Sequence, residues 1–407
     1  MAKILFMTIG TGVGTNEDKS RNLAHGLETT IYEVQPDFVV FFGSENSEKT
    51  INYIKEFYLE KNPELFDYEF VPIYEIDSFT HCYKVISNQI LRFKNDDIKI
   101  DYTSGTKTMT MTAAICSMLY GKDLLVVSGT RGSNGIVIPG TEEVKRQNLY
   151  LAYDKVKIDQ IQDLFDNYRY ESAEQILNTI INYENKEGLK ILIQAYGAWD
   201  KFDHQTALDY FDKIRFNDFP EIQDQLVKNI CVLRNINNEK SRDKCYYILA
   251  SLLNNAHRRF EECRFDDGIA RLYRSLELIG QIKLKDYGLV SSNLDINLLK
   301  YEYPHVNIEY YETKKTMDGK IKLGLVEDYK LLQSLDDEIG TYFMSNFKAY
   351  QNFLLNRNKS ILAHGLENKS EKDYLEFETF VIDLSKKVKK GMNRFLTVTT
   401  FPKFKRI

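Results

Sequence analysis

The first 150 residues alternate between short β-branched or aromatic runs and amphipathic segments, and this alternation constrains the fold more than any other feature of the chain. KILFMTI, DFVVFFG, YEFVPIY, IKIDYTS and DLLVVSG are each bounded by turn residues, which predicts five strands. Between the first two, Leu23, Leu27, Ile31 and Val34 recur at helical spacing, and similar patterns predict helices around 47–59, 79–94 and 107–120. Repeated strand–helix–strand units imply a parallel sheet covered on both faces, so residues 1–152 are expected to form a doubly wound, Rossmann-like α/β domain.

After Asp154 the strand signal nearly vanishes and helical periodicity takes over, as in VKIDQIQDLFDNYRYESAEQILNTIINY. The remainder is expected to be all-α, with a connecting region over 153–245 and a second domain over 246–407. A chain of 407 residues has the length for two or three cores. Within the helical part, NIEYYETKKTMDGKIKLGLV surrounds Asp318-Gly319 with polar–apolar runs and predicts an inserted β-hairpin near 307–326. The hexapeptide LAHGLE occurs at 23–28 and 362–367, but its surroundings differ and the repetition reads as chance.

Cys82, Cys116, Cys231, Cys245 and Cys263 are odd in number and form no Cys-x-x-Cys pair, which suits free thiols in a reducing cytoplasm. The opening MAKILFMTIGTG stops at Gly10, too early for a leader core, and reads as the first strand. No uncharged apolar stretch approaches the roughly 20 residues of a membrane span, so a soluble protein with no membrane association is expected. A net charge of -5 argues against a surface built for nonspecific nucleic-acid binding, and any RNA contact must be local. The densest basic run, Lys386, Lys387, Lys389, Lys390 and Arg394, reads first as a helix end whose cations suit the helix dipole.

Two loops carry the case for a ligand. Gly10-Thr11-Gly12-Val13-Gly14-Thr15 follows the first strand directly, where backbone amides face an anion at a helix start. The second, Thr103-Ser104-Gly105-Thr106-Lys107-Thr108, gathers hydroxyls, amides and one ammonium between a strand and a helix, a combination suited to phosphate oxygens. A helix N-cap would need only one of those hydroxyls. The chain has no Walker spacing, and the first loop reads Gly-x-Gly-x-Gly, which departs from the dinucleotide fingerprint and argues against hydride transfer.

These loops, a Gly-Thr-Gly strand exit and a later Asp-x-Thr-x-Gly-Thr-Lys-x-Met, resemble the CRISPR-associated Rossmann fold, or CARF, domain. The resemblance implies that Gly10, Thr11, Gly12, Thr103, Ser104, Gly105, Thr106 and Lys107 bind a cyclic oligoadenylate across a two-fold dimer axis, with Thr130 and Arg131 of SGTRGSNG as further candidates.

Near the other end, NFLLNRNKSILAHGLENKSEKDY places Arg357 and His364 seven residues apart, almost two helical turns, hence on one helix face with Asn358 beside them. Histidine moves protons near neutral pH, and arginine braces a phosphate as negative charge builds. Such a pair suits metal-free RNA cleavage, in which the 2′-hydroxyl attacks its own phosphate. The string Arg-Asn-x-Ser-Ile-x-Ala-His-Gly resembles the HEPN nuclease motif, and the chain as a whole resembles the CRISPR-associated CARF-HEPN ribonucleases of type III systems. That resemblance implies a homodimer that cleaves single-stranded RNA, leaving 2′,3′-cyclic ends, when a cyclic oligoadenylate activates it. His25, His81, His204, His257 and His305 make no metal-ligand spacing, and no metal or cofactor is expected. Two alternatives stay open: a nucleotide-sensing regulator with an inert helical domain, and a ring nuclease that degrades its own activator.

Overall fold

The structure is a computed structural model and describes residues 1–12, 18–132, 137–138, 140–348, 351 and 369–404. The chain divides into two compact units, Met1–Val156 and Lys157–Ile407.

In the first unit, β1 (Lys3–Ile9), β2 (Phe38–Gly43), β3 (Tyr68–Pro72), β4 (Asp97–Asp101), β5 (Asp123–Ser128) and β6 (Glu143–Gln147) form one sheet in the order β3-β2-β1-β4-β5-β6. The first five strands run parallel, with Leu5 opposite Val39 and Ile100 beside Phe6, and β6 pairs antiparallel with β5. Alternate residues sort onto two faces. Leu5, Met7, Ile9, Val39 and Phe41 meet α1 (Asp18–Val34) and α2 (Glu48–Lys61), while Ile4, Phe6, Val40, Phe42 and Ile100 meet α3 (Phe79–Arg92) and α4 (Lys107–Leu119). Burial on both faces is why β1 and β2 read as continuous apolar runs. The predicted doubly wound domain is therefore present, with one addition. EVKRQ of β6 is exposed or half-buried throughout and carries no apolar signal, as suits an edge strand.

α5 (Tyr150–Asp166) leads the chain into the second unit, which holds two hydrophobic cores. The first is built by α5, α6 (Tyr170–Asn178), α7 (Lys186–Asp200), α8 (His204–Phe211) and α9 (Gln223–Asn237) around the fully buried Tyr196 and Trp199. The second is built mainly by α10 (Lys244–Glu261), α11 (Phe265–Asp286), α12 (Ile296–Glu302), α13 (Ile308–Glu312), α14 (Leu325–Ser334), α15 (Glu338–Ser345), α16 (Glu371–Val388) and α17 (Met392–Val398). Leu272, Leu276 and Ile279 form its central stripe on α11. Trp199 joins the two regions, its Nε1 donating to Ser251 Oγ at 2.8 Å.

The end of the described chain also returns to the first core. Asn229 Nδ2 donates to the Val398 and Thr400 carbonyls at 2.8 and 3.1 Å, while Phe401 meets the rings of Tyr196 and Trp199 and Phe404 that of Phe165. FPKF thus supplies aromatic anchors within a stretch that reads as basic. The basic run before it is largely occupied too: Lys389 pairs with Asp243 at 2.8 Å and Lys387 lies over the Tyr342 ring.

Of the expected hairpin near 307–326 the turn is present, but its arms are not strands. Residues Ile308–Glu312 are helical, started by the Asn307 side chain accepting from Tyr310 N, and only one antiparallel bridge, Lys315 to Ile321, closes the turn at Gly319. The alternating run was too short for period alone to separate strand from helix, and an Asn cap decided it.

Asp328 on α14 is 1% exposed and packs against Gly280 of α11. Burial pushes its carboxyl from an ordinary value of 3.8 up to about 7. Because the folded value is the higher one, the native chain keeps a proton that the unfolded chain releases, and stability is lost as pH rises between these two values. Asp328→Asn should be nearly neutral at about pH 4 and stabilising by on the order of a few kcal/mol at about pH 8. Urea unfolding across that range checks it.

Candidate functional site

The sheet reverses its order between β1 and β4, and ligands of doubly wound folds bind outside the carboxyl ends of strands at such a point. Both glycine-bearing loops leave the sheet there. Gly10 N donates to Ser104 Oγ at 3.0 Å, and the Thr8 hydroxyl donates to the Ser104 carbonyl. A side chain on Gly10 would meet Gly105 N and Ser104 Oγ at 3.1 Å, so glycine permits the close approach. Gly105 has φ +125°, and Gly12 has φ +78° with no room for a Cβ against the Lys19 carbonyl. Thr50 Oγ1 fixes the Gly10 carbonyl at 2.9 Å, and Ser20 Oγ fixes that of Thr11 at 2.8 Å.

The hydroxyls expected to face a ligand are engaged within the protein. Thr103 Oγ1 accepts from Val127 N at 2.7 Å, tying β4 to β5. Ser104 accepts from Gly10 N. Thr106 caps α4, accepting from Met109 N at 3.2 Å and donating to the Ile76 carbonyl at 2.8 Å. What the site offers an anion is therefore the start of α4, with its first amides and dipole, and the exposed Lys107. Thr130 and Arg131 belong to the arm between β5 and β6, where Ile138 N donates to the Thr130 carbonyl at 2.8 Å and Arg131 bridges Val137.

Beneath the loops lies a carboxylate whose role its residue type alone does not reveal. Asp101 is fully buried and accepts from Thr103 N at 2.7 Å and from the Thr30 hydroxyl of α1. Burial raises its carboxyl above the usual range, with the Thr103 and Thr30 bonds opposing.

Arg357, Asn358 and His364 lie outside the described residues. The described chain on their far side begins at Lys369, whose N–H is 3.4 Å from Asp266 Oδ2, and Ser370 opens α16 with a capping box. Among the described residues no group of three His, Cys, Asp or Glu side chains is arranged to hold a metal, and no helix is long and apolar enough to cross a membrane.

A family model described as the Csm6 6H domain matches residues 153–249, and one described as the Csm6 HEPN domain matches residues 237–387. The chain belongs to the Csm6 family of CRISPR-associated CARF-HEPN proteins. Among solved structures, Enterococcus italicus Csm6 bound to cyclic hexa-2′-fluoro-hexa-dAMP matches 98% of this chain and 99% of its own, at 16% identity and a TM-score of 0.64, a likeness of fold. Can2 from Sulfobacillus thermosulfidooxidans in complex with cyclic tetra-adenylate matches 50% of this chain and 68% of its own, at 12% identity and a TM-score of 0.25. No curated protein matches the sequence.

The hydrogen bonds divide the loop residues by role. Thr103→Val leaves the buried Val127 amide without a partner and should destabilise the first unit by about 1–3 kcal/mol. Lys107→Ala, at an exposed helix start, should change stability by less than about 0.5 kcal/mol. Denaturant unfolding of the two variants separates them.

Proposed function

We propose that this Csm6-family chain is an endoribonuclease of type III CRISPR defence, activated by a cyclic oligoadenylate and acting on single-stranded RNA without a metal. The observation that carries the reading is the placement of the Arg357–Asn358–His364 string inside the interval matched by the Csm6 HEPN domain. Support for the activator comes from the loops at the β1–β4 reversal and from the ligand named for Enterococcus italicus Csm6.

In this reading His364 exchanges protons with the reacting oxygens, Arg357 stabilises the phosphate as charge develops, and Asn358 orients one of them, leaving a 2′,3′-cyclic end. The activator's phosphates meet the first amides of α4 and the Lys107 ammonium, over a floor shaped by Gly10, Thr11, Gly12, Thr103, Ser104, Gly105 and Thr106, with Thr130 and Arg131 at the rim. A ring of even symmetry suits two such sites facing each other, and the active species is a homodimer. The working location is the cytoplasm.

His364→Ala and Arg357→Ala should each lower activator-dependent cleavage about 10²- to 10⁴-fold while leaving folding and activator binding unchanged. Retained cleavage in either variant contradicts the catalytic assignment. Lys107→Ala should act differently. A hundredfold activation requires about 2.7 kcal/mol of preference for the active state, and one charge-assisted phosphate contact is worth about 1.5–3 kcal/mol. This variant should need far more activator yet keep basal cleavage, as read from activator titrations of the rate.

A further inference from the structure

A layer of charged side chains lies out of water in the second unit. Asp200, the last residue of α7, accepts from Arg258 Nε and Arg259 Nη2 at 2.8 Å each and from Asn255 Nδ2 at 2.9 Å. Both arginines are nearly buried, at 3% and 6% exposure. Asn255 Oδ1 accepts in turn from Arg271 Nε, and Arg271 Nη1 donates to the Asp267 carbonyl at 3.0 Å. Next to Asp267 at the start of α11, Asp266 receives the N–H of Lys369. Lys369 follows His364 by five residues.

This layer spans the two helical cores. Asp200 belongs to the region of α5–α9, the side chains bound to it rise from α10, and Arg271 of α11 joins them through Asn255. Its members are held from other sides as well. The Arg258 guanidinium rests 3.7 Å from the centre of the Phe401 ring, and Arg259 Nε faces Glu262 at 2.9 Å. Apolar side chains would hold two helices together as firmly, since burying charge is costly. What charge-assisted, two-ended bonds add is a fixed rotation and register.

We propose that Asp200 is a positioning residue for RNA cleavage. Through Asn255 and Arg271 it fixes the Asp266–Asp267 pair, and through Asp266 it fixes the point where the chain leaving the Arg357–His364 segment is anchored. This rests on the cleavage reading above. Asp200 acts through these side chains and not by contact with RNA.

The test uses the full-length protein as wild type, Asp200→Asn, Asp266→Ala and the double variant. Four quantities are read: kcat and KM for a single-stranded RNA at saturating activator, thermal unfolding, activator affinity, and amide hydrogen exchange across residues 369–375. Each single variant should lose roughly tenfold to hundredfold in kcat with KM and activator affinity unchanged. The double variant should lose no more than the worse single one, because both act along one route. Exchange at 369–375 should quicken in both. Additive losses, or a folded Asp200→Asn with wild-type kcat, overturn the proposal. Should Asp200→Asn not fold, Asp266→Ala decides, and unchanged kcat and exchange overturn it. If the wild type cleaves no RNA, the cleavage reading fails separately, and exchange alone judges the joint: unchanged exchange in Asp200→Asn rejects it.

Discussion

Two buried arginines sharing one aspartate hold the helical half of this protein in a single arrangement. Taking Arg258, Arg259 and Asp200 out of water costs several kcal/mol per ion, and only short, well-aimed bonds offset that. Asp200 takes one bond from each arginine and a third from Asn255, while Phe401 presents its ring face to Arg258 and the Glu262 carboxylate lies beside Arg259 as an opposite charge without a hydrogen bond. Trp199, one residue before Asp200, is fixed by Ser251 on the same helix that carries both arginines. The returning chain end that contributes Phe401 is itself fastened by Asn229. Loss of Asp200 would therefore loosen the seam between the two cores, while each core kept its own apolar interior.

The first unit depends on a geometric constraint. Reversal of strand order between β1 and β4 brings two loops from residues almost a hundred apart into hydrogen-bond contact, and Gly10 and Gly105 make that contact sterically possible. The loop hydroxyls are consumed in building the floor: Thr103 to β5, Ser104 to Gly10, Thr106 to the α4 start. In the proposed function an activator phosphate then meets amides and Lys107, over a buried Asp101 that ties Thr103 to α1. Backbone recognition of this kind reads phosphate geometry and leaves base recognition to residues elsewhere.

Much of this was legible in the sequence, for identifiable reasons. β1 and β2 announced themselves because both of their faces are buried, whereas β6, charged and at an edge, left no periodic trace. The turn at Gly319 is where the sequence puts it, but the five residues Ile308–Glu312 before it are too short a run to distinguish two periods, and the Asn307 cap makes them helical. At the ligand loops residue types pointed to phosphate but could not reveal that three hydroxyls already had partners. The buried charge layer has a signal in the pattern of α10. The apolar stripe Leu249, Leu252, Leu253, Ala256 continues onto Arg259, a polar residue where the period calls for a core position. The Arg357–His364 expectation rests on its motif and on the domain that matches around it.

The central claim is that one chain converts binding of a cyclic nucleotide into metal-free RNA cleavage. The most direct measurement is the cleavage rate of a single-stranded RNA in EDTA with cyclic tri-, tetra- and hexa-adenylate supplied in parallel. The account predicts that one ring size raises the rate well above the others, that EDTA leaves it unchanged, and that the products end in 2′,3′-cyclic phosphate. Activator bound with no cleavage, or cleavage that EDTA abolishes, would contradict it.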